Sequence, residues 1–181
     1  MFEEIIEKMK NNGVDFAEGL TDEEIEKIED CYRIEFPKEL KAFYKEALPI
    51  SNGFYNWRDL SKSNDEKIAD RIRRPKQDLL EAFEEIDWPE AWGSEPYDDD
   101  EKATLTKAKI LTSADLIPIY SHRYITNQYD EGNPVFSIVG WDIICYGENL
   151  EKYLEREFIG KSKDSIKLDD IKKVDFWSDF L

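Results

Sequence analysis

The chain has 181 residues, of which 40% are hydrophobic, 13% aromatic and 37% charged, enough apolar material for one sizeable core under a densely ionised surface. Its 42 Asp and Glu against 25 Lys and Arg give a net charge of −17, a field that repels phosphate backbones and anionic lipid and so disfavours direct binding to nucleic acid or membrane. No stretch approaches the ~20 apolar residues of a membrane span, and the start Met1-Phe2-Glu3-Glu4 lacks the basic and apolar segments of a secretory signal. The expectation is one cytoplasmic domain over residues 1–181, with Cys31 and Cys145 as reduced thiols in its core.

Phe2, Ile5, Ile6 and Met9 recur at helical spacing ahead of the stop at Asn11-Asn12-Gly13. Thr21 and Glu24 have the spacing of a capping box, which predicts a helix from about Asp22 carrying Ile25, Ile28 and Tyr32. Pro37 suits a first helical turn, followed on one face by Leu40, Phe43, Tyr44 and Ala47 as far as Pro49. Ser51-Asn52-Gly53 is a turn. Ile68 and Ile72, then Leu79, Leu80, Phe83 and Ile86, predict two more helices separated by Pro75, and Trp88-Pro89 and Trp92-Gly93 close that block.

From Ile110 the texture changes. Leu116–Tyr120, Pro134–Val139 and Asp142–Tyr146 are short, rich in β-branched and aromatic residues and bounded by Gly, Asn or Pro, as antiparallel strands are. Asn149 is placed to cap a helix bearing Leu150, Tyr153, Leu154 and Phe158, and Gly160–Lys173 reads as a polar connector. The terminal aromatics Phe176, Trp177 and Phe180 are expected to dock on the core, because exposed they would form an apolar patch. The order predicts an α+β fold, with N-terminal helices packed on an antiparallel sheet and a closing C-terminal helix.

The succession Leu20-Thr21-x-x-Glu24-Ile25, Phe36-Pro37-x-x-Leu40-x-x-Phe43, Ser51-Asn52-Gly53-Phe54, Leu116-Ile117-Pro118-Ile119 and Gly132-Asn133-Pro134-Val135-Phe136-Ser137 resembles the SUKH superfamily, the Smi/Knr-type domain, over about residues 15–158. The continuous run from Gly132 through Asp142-Ile143-Ile144 and Tyr146-Gly147 to Leu154 looks like a bacterial branch. Asn56-Trp57-Arg58-Asp59 and Ile119-Tyr120-Ser121-His122-Arg123-Tyr124-Ile125 fit the same branch. The resemblance implies an immunity protein that neutralises a polypeptide toxin, often a nuclease; fungal relatives, the alternative, are interaction scaffolds in cell-wall signalling. An acidic helical segment at about residues 59–105 is longer here than in minimal members.

That segment holds the candidate site. Between Lys76 and Lys102 there are eleven acidic residues and no Lys or Arg, with Trp88, Trp92 and Tyr97 among them. Aromatic anchors and carboxylates together suit a basic polypeptide toxin domain, since the rings supply contact area and the charges steer encounter. The partner-binding residues are therefore Trp88, Trp92, Tyr97, Asp98, Asp99, Asp100 and Glu101, although each tryptophan also fits a packing role, as do Trp57 and Arg58. Asp98 to Glu101 reads as a solvated acidic loop: it lacks the ligand spacing and turn glycine of a calcium site. Neither a Cys/His cluster for zinc nor a Gly-rich phosphate loop is present, so no cofactor is indicated. His122, the one histidine, follows Ser121 and invites a hydrolase reading, but no Gly-x-Ser-x-Gly elbow accompanies it, and a structural turn role is expected instead.

Overall fold

A computed structural model of the protein describes residues 2–160 and 166–181. Helix α1 (Glu3–Asn11) buries Ile5, Ile6 and Met9 on one face. Strand β1 (Phe16–Glu18) follows, and helix α2 (Asp22–Tyr32) starts at the predicted capping box: the Thr21 hydroxyl accepts from the Glu24 amide at 3.2 Å, and the Glu24 carboxylate from the Thr21 amide at 2.9 Å. Arg58 braces this cap, its Nε 2.6 Å from Glu24 Oε1, and the guanidinium holds the Glu24 carboxyl below its usual pKa. Helix α3 (Lys38–Glu46) buries Leu40, Phe43 and Tyr44. Ala47 leaves the helix to open strand β2 (Ala47–Pro49), which pairs antiparallel with β1. Pro49 disfavours helical geometry at Leu48, and the ladder gives the released backbone new partners.

The predicted break at Pro75 does not occur. Helix α4 (Lys62–Glu81) runs through it for 20 residues, with Ile68, Pro75 and Leu79 buried. Proline deprives the Arg71 carbonyl of its helical donor. The Tyr124 hydroxyl reaches that oxygen at 3.5 Å, across 53 positions of sequence. A second correction concerns Asp98 to Glu101, which is no loop but the cap and first turn of helix α5 (Asp99–Thr112). The Asp98 carboxylate accepts from the Glu101 amide at 2.8 Å, and the acidic first turn faces the positive end of the helix dipole.

The remaining strands, β3 (Ile117–Tyr120), β4 (Arg123–Ile125), β5 (Val135–Val139) and β6 (Asp142–Gly147), form one antiparallel meander in chain order. Arg123 and Tyr124 lie in β4, paired with both neighbours, and Ser121 and His122 make the turn before it. The Gly132-Asn133 motif leads into β5 as a closed loop. Buried Asn133 bonds the Tyr129 amide and carbonyl at 2.9 and 2.7 Å, and Glu39 on α3 accepts from the Gly132 and Asn133 amides at 2.7 and 2.9 Å. Asn149 caps helix α6 (Leu150–Leu154), accepting from the Lys152 amide at 2.9 Å, and a π-helical turn, Glu155–Ile159, extends it. Close packing of α6 on β6 requires glycine at 147, where a Cβ would come within 2.6 Å of the Tyr153 Cβ. The predicted connector Gly160–Lys173 includes residues 161–165, which lie outside the described residues.

Alternation along the strands sends apolar side chains to both faces of the sheet. Ile117, Ile119, Ile125 and Val135 join the core under α1, α2, α3 and α6. Leu116, Tyr124, Phe136, Ile138 and Ile143 join a second core with Leu79 of α4, Ile110 of α5 and the C-terminal Val174, Phe176 and Trp177. The fold is thus α+β as expected, but with layers on two faces rather than one. The aromatic tail docks as its apolar character demands: Trp177 is fully buried and donates its indole N–H to the Ala114 carbonyl at 2.8 Å. Of the two cysteines only Cys145 is in the core; Cys31 is exposed on α2, its Sγ 3.6 Å from Asp65 Oδ1.

Two stability effects follow. Trp177→Ala empties a large site and orphans the Ala114 carbonyl, so it should cost about 3–5 kcal/mol and lower the melting temperature by roughly 10 °C, measured by calorimetry. Glu39→Ala should cost about 1–3 kcal/mol, the penalty of leaving the Gly132 and Asn133 amides unpaired, while Lys38→Ala, an exposed neighbour, should stay within about 0.5 kcal/mol of wild type in the same denaturant titration.

Candidate interaction surface

The segment between α4 and α5 turns twice through 3-10 helices, Phe83–Glu85 and Glu90–Trp92, and brings its two tryptophans together. Trp88 and Trp92 meet edge to face with ring centroids 5.1 Å apart. Trp92 is half-buried: its ring stacks on Phe176 at 5.8 Å, its indole N–H donates to Asp179 at 2.9 Å, and the Lys109 ammonium sits 4.9 Å from its centroid. Trp88 donates to the Gly93 carbonyl at 3.0 Å. Trp92 is therefore committed in part to joining the segment to the C-terminal tail, and Trp88 to packing on Trp92 within the segment.

Tyr97 and the acidic residues behave differently. Tyr97 is fully exposed, at 107% of its reference area, immediately before Asp98 caps α5. Asp99, Asp100 and Glu101 are exposed around the first turn. Successive helical residues point about 100° apart, so their carboxylates diverge, and among the described residues no three metal-ligating side chains converge. What the turn offers is a broad negative surface.

Helix α5 adds apolar residues that the sequence reasoning missed. Thr106 and Ile110 are buried, whereas Leu105 and Leu111 are 40% and 63% exposed. Their signal lay in the Asp98/Glu101 cap spacing, which marks a helix start and with it an outward face at 101, 104, 105, 108, 111 and 112. Read as a loop, the acidic run hides that face.

His122 lies elsewhere, in the β3–β4 turn. Its Nδ1 is 3.1 Å from the Ser121 hydroxyl, and partial burial, with the nearby Arg123 cation, holds its pKa below the usual value. No carboxylate orients the ring through a hydrogen bond among the described residues, so a serine–histidine–acid chain is not assembled there. Trp57 and Arg58 resolve towards structure. Trp57 is fully buried and donates to the Tyr44 hydroxyl at 3.2 Å; Arg58 spans Glu24 and the Gly19 carbonyl, the latter at 2.9 Å.

No described helix is long and apolar enough to cross a membrane. No curated protein and no solved structure matches the chain. Residues 19–162, from the approach to α2 to just beyond the π-helical turn, match the SMI1 / KNR4 family (SUKH-1), the family to which the capping box, the Phe-Pro step and the Gly132-Asn133-Pro134 loop pointed, and the chain belongs to it.

Proposed function

We propose that this protein is an immunity protein, binding and neutralising a basic polypeptide toxin domain, a nuclease among the candidates, through the start and outer face of α5. The observation that carries this reading is the juxtaposition of a fully exposed tyrosine, four consecutive carboxylates and two exposed leucines on one short stretch, 97–111. An exposed Tyr and Leu pair is surface that a partner can desolvate, and aromatic residues dominate interface hot spots. The carboxylates raise the encounter rate with a cationic partner and repel nucleic acid, which suits a ligand whose own site attracts phosphates. Trp92 ties this segment to the tail and Trp88 packs on Trp92, so the aromatic content of the segment is divided between rigidity and contact.

The family supports a protein-binding role of this kind. The toxin assignment is tested by co-purifying the protein with its partner from the native cell, identifying that partner and measuring whether its toxicity is suppressed at equimolar immunity protein. A partner that is not toxic, recovered at stoichiometric yield, would instead favour a signalling scaffold.

The surface itself is tested by substitution. Reversing Asp99, Asp100 and Glu101 to Lys, with the Asp98 cap retained, should slow association at low salt by on the order of ten-fold and flatten its salt dependence. Leu105→Asp with Leu111→Asp should act on dissociation instead, shortening the complex lifetime by on the order of ten-fold, while both residues' exposure keeps the melting temperature within a few degrees. Unchanged kinetics in both variants would place the interface elsewhere.

A further inference from the structure

Arg71 stands on α4, half-buried, and its neighbours are the phenols of Tyr55 and Tyr124. Among the described residues no carboxylate lies within salt-bridge distance of it, in a chain with 42 acidic residues. Arg74, one turn on, shows the ordinary arrangement: Asp70 lies 2.9 Å and Asp78 3.9 Å from its guanidinium. A guanidinium withdrawn from water is normally matched by an anion, because its desolvation is costly.

Arg71 lines a cleft of about 400 Å³ between α4 and the sheet, together with His122, Tyr124, Ile138, Val139 and Gly140. The polar wall is held in place. Ser121 adopts a left-handed backbone, φ 48°, with its amide on the Gly53 carbonyl at 2.8 Å and its own carbonyl accepting from the Tyr55 hydroxyl. The Ser121 hydroxyl lies 3.1 Å from His122 Nδ1; if it donates there, a neutral ring keeps Nε2–H as a donor. The rim at the β5–β6 turn is apolar: Gly140, at φ 60°, makes the tight turn, and Val139 beside it lines the cleft and is 59% exposed.

The cleft therefore pairs a cation that has no salt bridge among the described residues with an exposed apolar lip at Val139. Asp70 and Asp78 also line it, so a dianion such as phosphate meets twice the repulsion from them that a monoanion does. A second copy is disfavoured as occupant by its charge of −17. We propose that this cleft captures the free C-terminal carboxylate of a partner polypeptide ending in an apolar residue, with the carboxylate on Arg71 and the terminal side chain against Val139. Bidentate guanidinium–carboxylate pairing supplies the polar half of that recognition, and the lip selects for a hydrophobic end. This surface is separate from α5, and its occupancy does not depend on the partner being a toxin.

The full chain can be titrated with acetyl-Gly-Ala-Leu, with its C-terminal amide and with phenyl phosphate, following the ring protons of His122, the one histidine, by NMR. The free-acid peptide should shift those signals saturably, the amide should bind at least ten-fold more weakly, and phenyl phosphate should bind more weakly than the acid. Arg71→Gln should weaken the free-acid peptide at least ten-fold, and Val139→Asp by several-fold. Should Arg71→Gln not fold, Arg71→Lys, which keeps the charge but loses the fork, should show a smaller loss. Equal binding of acid and amide, absence of any shift, tighter binding of phenyl phosphate, or indifference to Arg71 would each overturn the proposal.

Discussion

A four-stranded antiparallel sheet usually hides one face and wets the other, and its strands then alternate apolar with polar residues. Here Leu116 and Ile117, Tyr124 and Ile125, and Val135 and Phe136 are adjacent pairs buried on opposite sides. Such a sheet has to be covered twice. The first cover comes from α1, α2, α3 and α6, closed by the capping box, Arg58 and Glu39. The second comes from α4, α5 and the C-terminal aromatics, segments far apart in sequence that meet on the sheet's other face, while α4 also sends Ile68 into the first core.

This requirement shapes what the acidic segment can do. Its inner residues, Leu79, Ile86 and Ile110, are structural, and its outer residues are free to carry recognition. Helix α5 thus packs through Thr106 and Ile110 and displays Leu105 and Leu111 on other sides. Trp92 sits at the boundary, joining the segment to Phe176, Phe180 and Asp179. The tail consequently steadies the same region that presents Tyr97.

Electrostatics sets a second constraint. A net charge of −17 opposes compaction by self-repulsion, and the cost is lowered where carboxylates have a local counterpart. Asp98 to Glu101 gather at the positive end of α5, Glu24 meets Arg58, Glu39 meets two backbone amides, and Glu29 meets Lys41 at 3.0 Å. The placement of acids is thereby partly an answer to folding and not only to partners. Arg71 reverses the pattern, a half-buried cation left to phenols, and so stands out against it.

Local signals in the chain were sufficient for the parts whose cause is local. The Thr21/Glu24 box, the Asn149 cap, the helical spacing of α1 and α3, and the strands at 117–120, 135–139 and 142–147 depend on neighbours within a turn or a hairpin, and all were legible. So was the family, because its motifs turn out to be the cap, the helix entry and the Asn133 loop themselves. The features that were not legible have distant causes. Helix α4 passes Pro75 with the Tyr124 hydroxyl at the freed carbonyl, β4 exists because β3 and β5 flank it, and Ala47 turns extended to meet β1. The acidic run looked like a loop because its charge masked a cap. Sequence by itself determined the fold class, the charge and the family. Only the tertiary structure decided which aromatics are packed and which are displayed, and that Arg71 has no salt bridge among the described residues, since burial and pairing depend on residues brought together from across the chain.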